Sequence, residues 1–257
     1  MANLVAGLNF PQIGELVDWK HFWLPGLSKP SFIIVIAAVI VLALFVVAGR
    51  KKALVPTGVQ NLAEMVVEFV TDGIIMQTVG EDGMVFLPYL VTLFMFILVC
   101  NLFELIPIFQ FPPMSRMAMP MVLALFTWVM YNFMGIKKQG FGHYMKNSLF
   151  PPGVPKALYI LVTPIEFLSN FLVRPFSLAV RLFANELAGH LLLVTFALLT
   201  DALLFHNSIV AFKPIAVLPA VMDVGLTAFE LLVAVLQAFI FTILTAVYLG
   251  LAMHPEH

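Results

Sequence analysis

The sequence has little charge and almost no cysteine, and these shortages exclude several classes of protein. Only 11% of its 257 residues are charged, against about 25% in soluble domains, and the mean hydropathy is +1.04. Several segments reach the roughly 20 apolar residues that cross a bilayer, so the composition predicts an integral helical membrane protein. The single cysteine, Cys100, rules out an intramolecular disulfide. A net charge of −1 provides no basic surface for nucleic acid.

Three further features are missing. No GxxxxGK[ST] motif occurs, so we expect the chain not to bind or hydrolyse nucleotide itself. Residues 1–30 lack the basic n-region of a signal peptide and are interpreted as an extramembrane arm before a single membrane domain, residues 31–257. We find no internal repeat, whereas secondary transporters that use intramembrane arginine, histidine and glutamate often have one. No pattern indicates a cofactor or a metal site.

Apolar runs predict about five membrane-crossing helices. The last run has about 35 residues and would be roughly 52 Å long at 1.5 Å per residue, although the hydrocarbon core is about 30 Å thick. We therefore expect the last two helices to be long and strongly tilted, and we expect the prolines at 164 and 175 to kink the fourth run without ending it. The predicted spans are residues 31–49, 84–105, 117–135, 158–199 and 219–253.

Residues 56–79 have a different pattern. Gln60, Glu64, Glu68 and Asp72 recur every four residues, with apolar residues between them. This periodicity predicts an amphipathic helix that lies along the membrane surface. The simplest interpretation of its acidic row is a solvated face.

The basic residues predict the orientation. With five crossings, the N-terminus outside and the C-terminus cytoplasmic, seven lysines and arginines lie inside and four outside. A separate span at residues 158–173 would move the C-terminus to the other side. The inside set is Arg50, Lys51, Lys52, Lys137, Lys138, Lys146 and Lys156, and the outside set is Lys20, Lys29, Arg116 and Lys213.

The motif RPFSLAVRLFANELAGH places ionisable side chains where hydrocarbon should be the solvent. Arg181 and Asn185 are four residues apart and share one helical face, and Glu186 and His190 share another. Ionisable residues inside a membrane are costly and are functional-site candidates. Because a guanidinium stays charged in proteins, Arg181 must act electrostatically, by attracting a carboxylate or by blocking a proton leak. The structural alternative is an ion pair with Glu186 or Glu230.

The last predicted helix carries a polar stripe. Asp223, Glu230 and Gln237 are spaced by seven residues, which returns to within about 20° of the same direction and gives a stripe about 21 Å long. Two carboxyls and an amide on one line predict a proton path. Asp223 has an alternative interpretation, as a charge at the wet entrance of the helix.

Two other polar groups leave their roles open. Glu166 and Arg174 lie on a second polar line, with Ser169 beside it. Arg174 could instead be an interfacial charge whose long side chain reaches the headgroups. Glu104 lies three residues after Asn101, on the same face, and could either act with it or only meet headgroups.

These residues also form familiar motifs. SLAVRLFANELAGH and LQAFIFTILTAVYL resemble the two signature helices of subunit a of the F-type ATP synthase membrane sector, and NLFELIP at residues 101–107 resembles its second-span motif. The resemblance covers nearly all of the chain from residue 31 onward. It implies a stator beside a rotating ring of c subunits, with peripheral-stalk b-type subunits and other ATP synthase subunits as partners. The expected location is the lipid bilayer of a bacterial plasma membrane.

The resemblance also implies roles for individual residues. Arg181 would hold the deprotonated carboxylate of a c subunit and separate two offset half-channels. Many bacterial members have Glu at the position of His190 and His at that of Glu230, and the apparent exchange predicts that these two residues are in contact. A purely structural subunit would not explain a titratable stripe opposite a buried arginine. The outer half-channel would use Asn185, His190, Asp223, Glu230 and Gln237, and the inner one Glu166, Ser169 and Arg174.

Overall fold

A computed structural model describes residues 29–50, 55–106, 113–150, 158–206 and 214–253. Every regular element in these ranges is helical, which confirms the predicted all-α class. Helices satisfy the backbone hydrogen bonds internally, as a hydrocarbon solvent requires. The predicted N-terminal arm lies almost entirely outside the described residues. Five helical runs are long and apolar enough to cross a membrane, namely Pro30–Arg50, Glu81–Leu105, Ala118–Gln139, Tyr159–Leu204 and Pro214–Met253.

The helices are numbered here in chain order. Short π-helical, α-helical and 3-10 elements connect or extend them. The main helices are α1 (Lys29–Arg50), α2 (Val59–Val70), α3 (Leu87–Leu105), α4 (Ala118–Gln139), α5 (Phe141–Leu149), α6 (Tyr159–Leu168), α7 (Arg174–Asp201) and α8 (Val217–Met253). The shorter elements are the π-helical turns Thr71–Ile75, Ser169–Val173 and Ala202–His206, the α-helical turn Met76–Thr78 and the 3-10 helix Glu81–Phe86.

The two C-terminal runs are long, as predicted. Helix α6, the π-helical turn Ser169–Val173, α7 and the first residues of the turn Ala202–His206 continue into one another, in a run of 46 residues from Tyr159 to Leu204. Pro164 lies inside α6 and Pro175 lies in the first turn of α7, two residues after the π-helical turn ends, and neither proline ends the run. Helix α8 has 37 residues and is about 55 Å long. Both runs exceed the hydrocarbon thickness of about 30 Å, so they must tilt or protrude.

Helix α2 is amphipathic, as its periodicity predicted. Gln60, the first residue of the predicted polar row, is buried together with Ala63 and Val70, whereas Glu64 and Glu68 are exposed. The predicted row continues through Asp72, which is also exposed, although the helix changes to a π-helical turn at Thr71. The acidic row therefore lies on a solvated face of this chain.

The segment that follows the third span differs from the prediction. The predicted third span ended at residue 135, but α4 continues to Gln139 and α5 forms directly after it. The two helices are separated by Gly140, whose φ of 81° suits glycine. The lysines after residue 135 do not mark the end of the helix, because lysine has nearly the same helix propensity as leucine.

Helices α3 and α8 form the centre of the bundle. Leu90 and Ile97 of α3 and Phe241 and Leu249 of α8 are almost completely inaccessible. In contrast, α6, α7 and the first half of α8 expose a broad apolar surface. Lipid or a neighbouring subunit can cover such a surface in a membrane, whereas soluble monomers rarely expose one this large. Its exposed side chains include Ile160, Leu161, Leu172, Phe176, Val224 and Leu232.

Candidate functional site

The predicted polar stripe of α8 lies against α7. Asn185 donates a hydrogen bond through Nδ2 to Gln237 Oε1, at 2.6 Å. One turn further along α7, the Glu230 carboxyl group lies over Gly189, where a Cβ atom would come within 2.5 Å of Glu230 Cδ. Successive contacts that advance along α7 go back along α8, so the two helices are antiparallel. The polar contact of Asn185 and Gly189 with Gln237 and Glu230 is called the seam below. Asp223 is half-buried at the far end of this stripe.

His190 joins this seam to helix α3. Its Nδ1 atom lies 3.8 Å from Glu104 Oε1, and only 6% of His190 and 4% of Glu104 are exposed. Glu104 therefore contacts the site and is not a headgroup contact in this chain. The carboxyl of Glu230 packs on the residue that precedes His190, while a direct contact between His190 and Glu230 stays a prediction.

Glu186 is a second buried carboxyl at this end of the bundle. It is 4% exposed, and the backbone N–H of Met114 donates a hydrogen bond to it. Asn101, also 4% exposed, lies beside it. The side-chain amide of Asn101 can be placed in two orientations. In one, its nitrogen donates to Glu186 Oε2 and to the Ile97 carbonyl, both at 3.1 Å. In the other, its nitrogen donates to the Ala234 carbonyl at 3.3 Å. The orientation of such an amide is assigned from its neighbours.

Arg181 has a different environment. It is half-buried and lies one turn before Asn185 on α7. It forms no hydrogen bond or ion pair with any residue in the five described ranges. The structural alternative, an ion pair with Glu186 or Glu230, is therefore not formed within this chain. No described side chain therefore neutralises the charge of its guanidinium.

The opposite end of the bundle contains the second predicted group. The Arg174 guanidinium lies over the Tyr248 ring, with Cζ 5.2 Å from the ring centroid. Glu166 accepts a hydrogen bond from Asn170 Nδ2 at 3.3 Å, and Ser169 begins the π-helical turn between these residues. Arg174 is thus placed by an aromatic ring of α8, a cation–π contact.

Tyr131 holds the π-helical turn in place. Its hydroxyl donates to the Asn170 carbonyl at 3.0 Å, and its ring lies 5.8 Å from that of Tyr248. The Asn170 side chain also donates to the Ser148 carbonyl of α5, at 2.9 Å. A π-helical turn disturbs the regular ladder of backbone hydrogen bonds, and such turns are frequent at functional sites.

Sequence reasoning missed part of this arrangement. Glu186 was noted only as a neighbour of His190 or a partner of Arg181, and Glu104 was left undecided. The signal was present, because Asn101 and Glu104 are polar residues on one face of an apolar span. Nothing in the pattern of α8 indicated that Tyr248 would lie under Arg174. No group of three or more His, Cys, Asp or Glu residues in the described ranges could hold a metal ion.

The fold and this seam define a multi-pass integral membrane protein with ionisable side chains inside its helical bundle. A family model described as "ATP synthase A chain" matches residues 31–250. The chain therefore belongs to the ATP synthase A chain family, which confirms the resemblance found in the motifs.

Curated relatives agree with this family. A protein of Frankia alni is 47% identical over 233 residues, which cover 90% of this chain and 79% of the relative. A protein of Rhodococcus erythropolis is 43% identical over 232 residues, covering 90% and 84%. A protein of Hyphomonas neptunium is 41% identical over 247 residues, covering 94% of both chains. Each of these three proteins is named ATP synthase subunit a.

Proposed function

We propose that this chain is the stator subunit that conducts protons in the membrane sector of an ATP synthase, with two offset half-channels separated by Arg181. Membership of the subunit a family supports this function, and the other subunits of the ATP synthase are its partners. The ring of c subunits and the b-type peripheral stalk are the specific partners proposed. We further propose a single membrane domain from residue 31, a bacterial plasma membrane, an external N-terminus and a cytoplasmic C-terminus.

The outer half-channel follows the seam between α7 and α8. Protons would enter at half-buried Asp223 and pass to Glu230 and His190, with Glu104 beside them. Asn185 and Gln237 would then lead toward Arg181. In support, the stripe becomes more buried along this direction, since Gln237 is only 2% exposed. Carboxyl and imidazole groups can take up and release protons, whereas the amides can only orient water or a partner.

The inner half-channel begins at the other end of α7. It would use Glu166 of α6, Ser169 of the π-helical turn and Arg174 of α7. The aromatic contact of Arg174 with Tyr248 and the π-helical turn at Ser169 support a shaped polar passage here. In this proposal the two groups form separate half-channels, and a proton would pass from one to the other only on a carboxylate of the ring.

One observation carries the proposal, namely that Arg181 is half-buried and has no partner among the described residues of its own chain. A permanent charge in a membrane is costly unless it is paired or solvated. The apolar surface of α7 and α8 around it would face the ring, and a ring carboxylate would supply the missing counter-charge. One elementary charge crossing 100 mV corresponds to about 2.3 kcal/mol, so a rotor with many carboxylates is needed to drive ATP synthesis.

The test is proton pumping and ATP synthesis by the assembled complex in vesicles, with Arg181→Ala beside the wild type. We expect coupled transport to be lost while assembly is normal, because alanine cannot hold the ring carboxylate or block a leak. Arg50→Ala serves as the matched control, since Arg50 is an exposed arginine in the last turn of α1. If proton transport and ATP synthesis stay coupled in Arg181→Ala, the arginine has only a structural role and the proposed mechanism is refuted.

A further inference from the structure

Glu186 is a buried carboxyl group that the proposed path does not use. It is as inaccessible as Glu104, at 4% exposure, and it interacts electrostatically with both Glu104 and Glu230. The other titratable groups near it are Cys100 of α3 and His190 on its own helix. No cation of the described ranges forms an ion pair with it. Burying a carboxylate without a counter-ion is strongly unfavourable, so a carboxyl in such a place changes its protonation instead of keeping a bare charge.

The neighbouring amide can accommodate both protonation states of Glu186. When Glu186 is ionised, the Asn101 amide nitrogen can donate to its Oε2 atom over 3.1 Å. When Glu186 is protonated, the amide can turn round and accept the proton's hydrogen bond, while its nitrogen donates to the Ala234 carbonyl at 3.3 Å. An amide has both a donor and an acceptor end. A side chain that could only donate or only accept a hydrogen bond would favour one protonation state of the Glu186 carboxyl.

Two buried oxygen atoms in this cluster have no hydrogen-bond partner among the described residues. These atoms are Glu186 Oε1 and Glu104 Oε1. Buried polar atoms are almost always paired in proteins. Unpaired oxygens on two carboxyls that interact with one another provide acceptor sites for a proton in transit.

We infer that Glu186 is a further proton-exchanging residue of the outer half-channel, supported by the amide of Asn101. This inference rests on the proposed function. In each cycle Glu186 takes one proton from a neighbouring acid group and releases the same proton to the next, so its own charge is restored. The Met114 N–H keeps its carboxyl in place from the loop before α4.

A structural role for Glu186 gives a different expectation. The carboxyl could serve only to accept the Met114 hydrogen bond and to close the loop over the bundle. Glu186→Gln separates the two roles, because glutamine retains an acceptor oxygen of similar reach but cannot exchange a proton at neutral pH. Glu68→Gln on the exposed face of α2 is the matched control.

The experiment measures ATP-driven proton pumping by the assembled complex in vesicles over a range of pH. General acid–base groups contribute about 10²- to 10⁴-fold where no substitute exists; with neighbouring acids present, we expect Glu186→Gln to reduce the rate by about fivefold. The pH profile should also shift toward acid, because losing one carboxyl removes like-charge repulsion from the other two. Glu68→Gln should match the wild type in rate and profile.

A wild-type rate and profile in Glu186→Gln would overturn the inference. If Arg181→Ala in the same preparation has lost coupling, the proposed function survives that result; if Arg181→Ala is also normal, both fail. Should the Glu186→Gln complex not assemble, Asn101→Leu provides the decision. This variant removes the amide that can hydrogen-bond to both protonation states of Glu186. A slower pumping rate with a changed pH profile supports proton exchange, and a wild-type rate and profile refute it.

Discussion

Replacing Gly189 by alanine tests the seam between α7 and α8 at its tightest point. A Cβ atom at this position would lie 2.5 Å from Glu230 Cδ, whereas ordinary van der Waals contact begins at 3.4 Å. The Glu230 carboxyl must therefore move by about 1 Å, and a misplacement of this size can cost about 100-fold in a proton-transfer or catalytic step. We expect Gly189→Ala to reduce ATP-driven proton pumping by at least about tenfold, because the Glu230 carboxyl is displaced from its position between α7 and α8.

The measurement is the pumping rate in vesicles, normalised to the amount of assembled complex. Gly225→Ala is the matched control, because it lies in α8 and a Cβ atom there meets nothing within 4 Å. This control should pump at the wild-type rate. It separates a steric effect on Glu230 from the general effect of adding a methyl group to a membrane helix.

A second variant tests whether the carboxyl group is the part that is displaced. Glu230→Asp withdraws the carboxyl by about one carbon–carbon bond, ~1.5 Å, which relieves the overlap with a Cβ atom at position 189. The double variant Gly189→Ala, Glu230→Asp should therefore pump at least as fast as Glu230→Asp alone. Wild-type pumping by Gly189→Ala, or a double variant that is slower than both single ones, would refute this account of the seam.

Two further predictions concern the opposite end of the bundle. Tyr248→Phe should pump nearly as fast as the wild type, whereas Tyr248→Leu should be slower by roughly threefold. Only an aromatic ring keeps the cation–π contact with Arg174, which is worth about 0.5–2 kcal/mol. Equal rates in the two variants would contradict the idea that Tyr248 positions Arg174. Lys138 and Asp82 form an exposed ion pair of 2.9 Å, and such pairs contribute about 0–1 kcal/mol. Lys138→Ala should accordingly leave both pumping and the thermal stability of the solubilised complex unchanged, and a clear loss of either would show that the pair is more than a surface contact.

The parts of the site that a single helix determines were predictable from the sequence. Asp223, Glu230 and Gln237 had to share a line, because seven residues nearly complete two helical turns. The pairing of Arg181 with Asn185 on one face followed from the same geometry. The length of both C-terminal helices likewise followed from counting apolar residues against the thickness of a bilayer.

The contacts between helices were not predictable in the same way. Periodicity tells which face of a helix is polar, but it does not tell which residues of another helix meet that face. Glu104 and His190 are far apart in the sequence, and only the packing of α3 beside α7 brings them within 3.8 Å. The contact of Arg174 with Tyr248 depends in the same way on the crossing of two long helices. The role of Glu186 depends on Asn101 and on a loop, neither of which the motif contains.

The burial of the charged groups follows from their titration chemistry. Carboxyls and imidazoles can lose their charge, so Glu104, Glu186 and His190 can lie in an almost dry interior. A guanidinium cannot lose its charge, and an unpaired cation in such an interior would cost roughly several kcal/mol. Arg181 must therefore lie where a counter-charge can reach it from outside the chain, and its half-buried position without a partner in the described ranges meets this requirement. In the proposed mechanism, the groups that pass protons and the group that stops them are thus separated by the same physical rule.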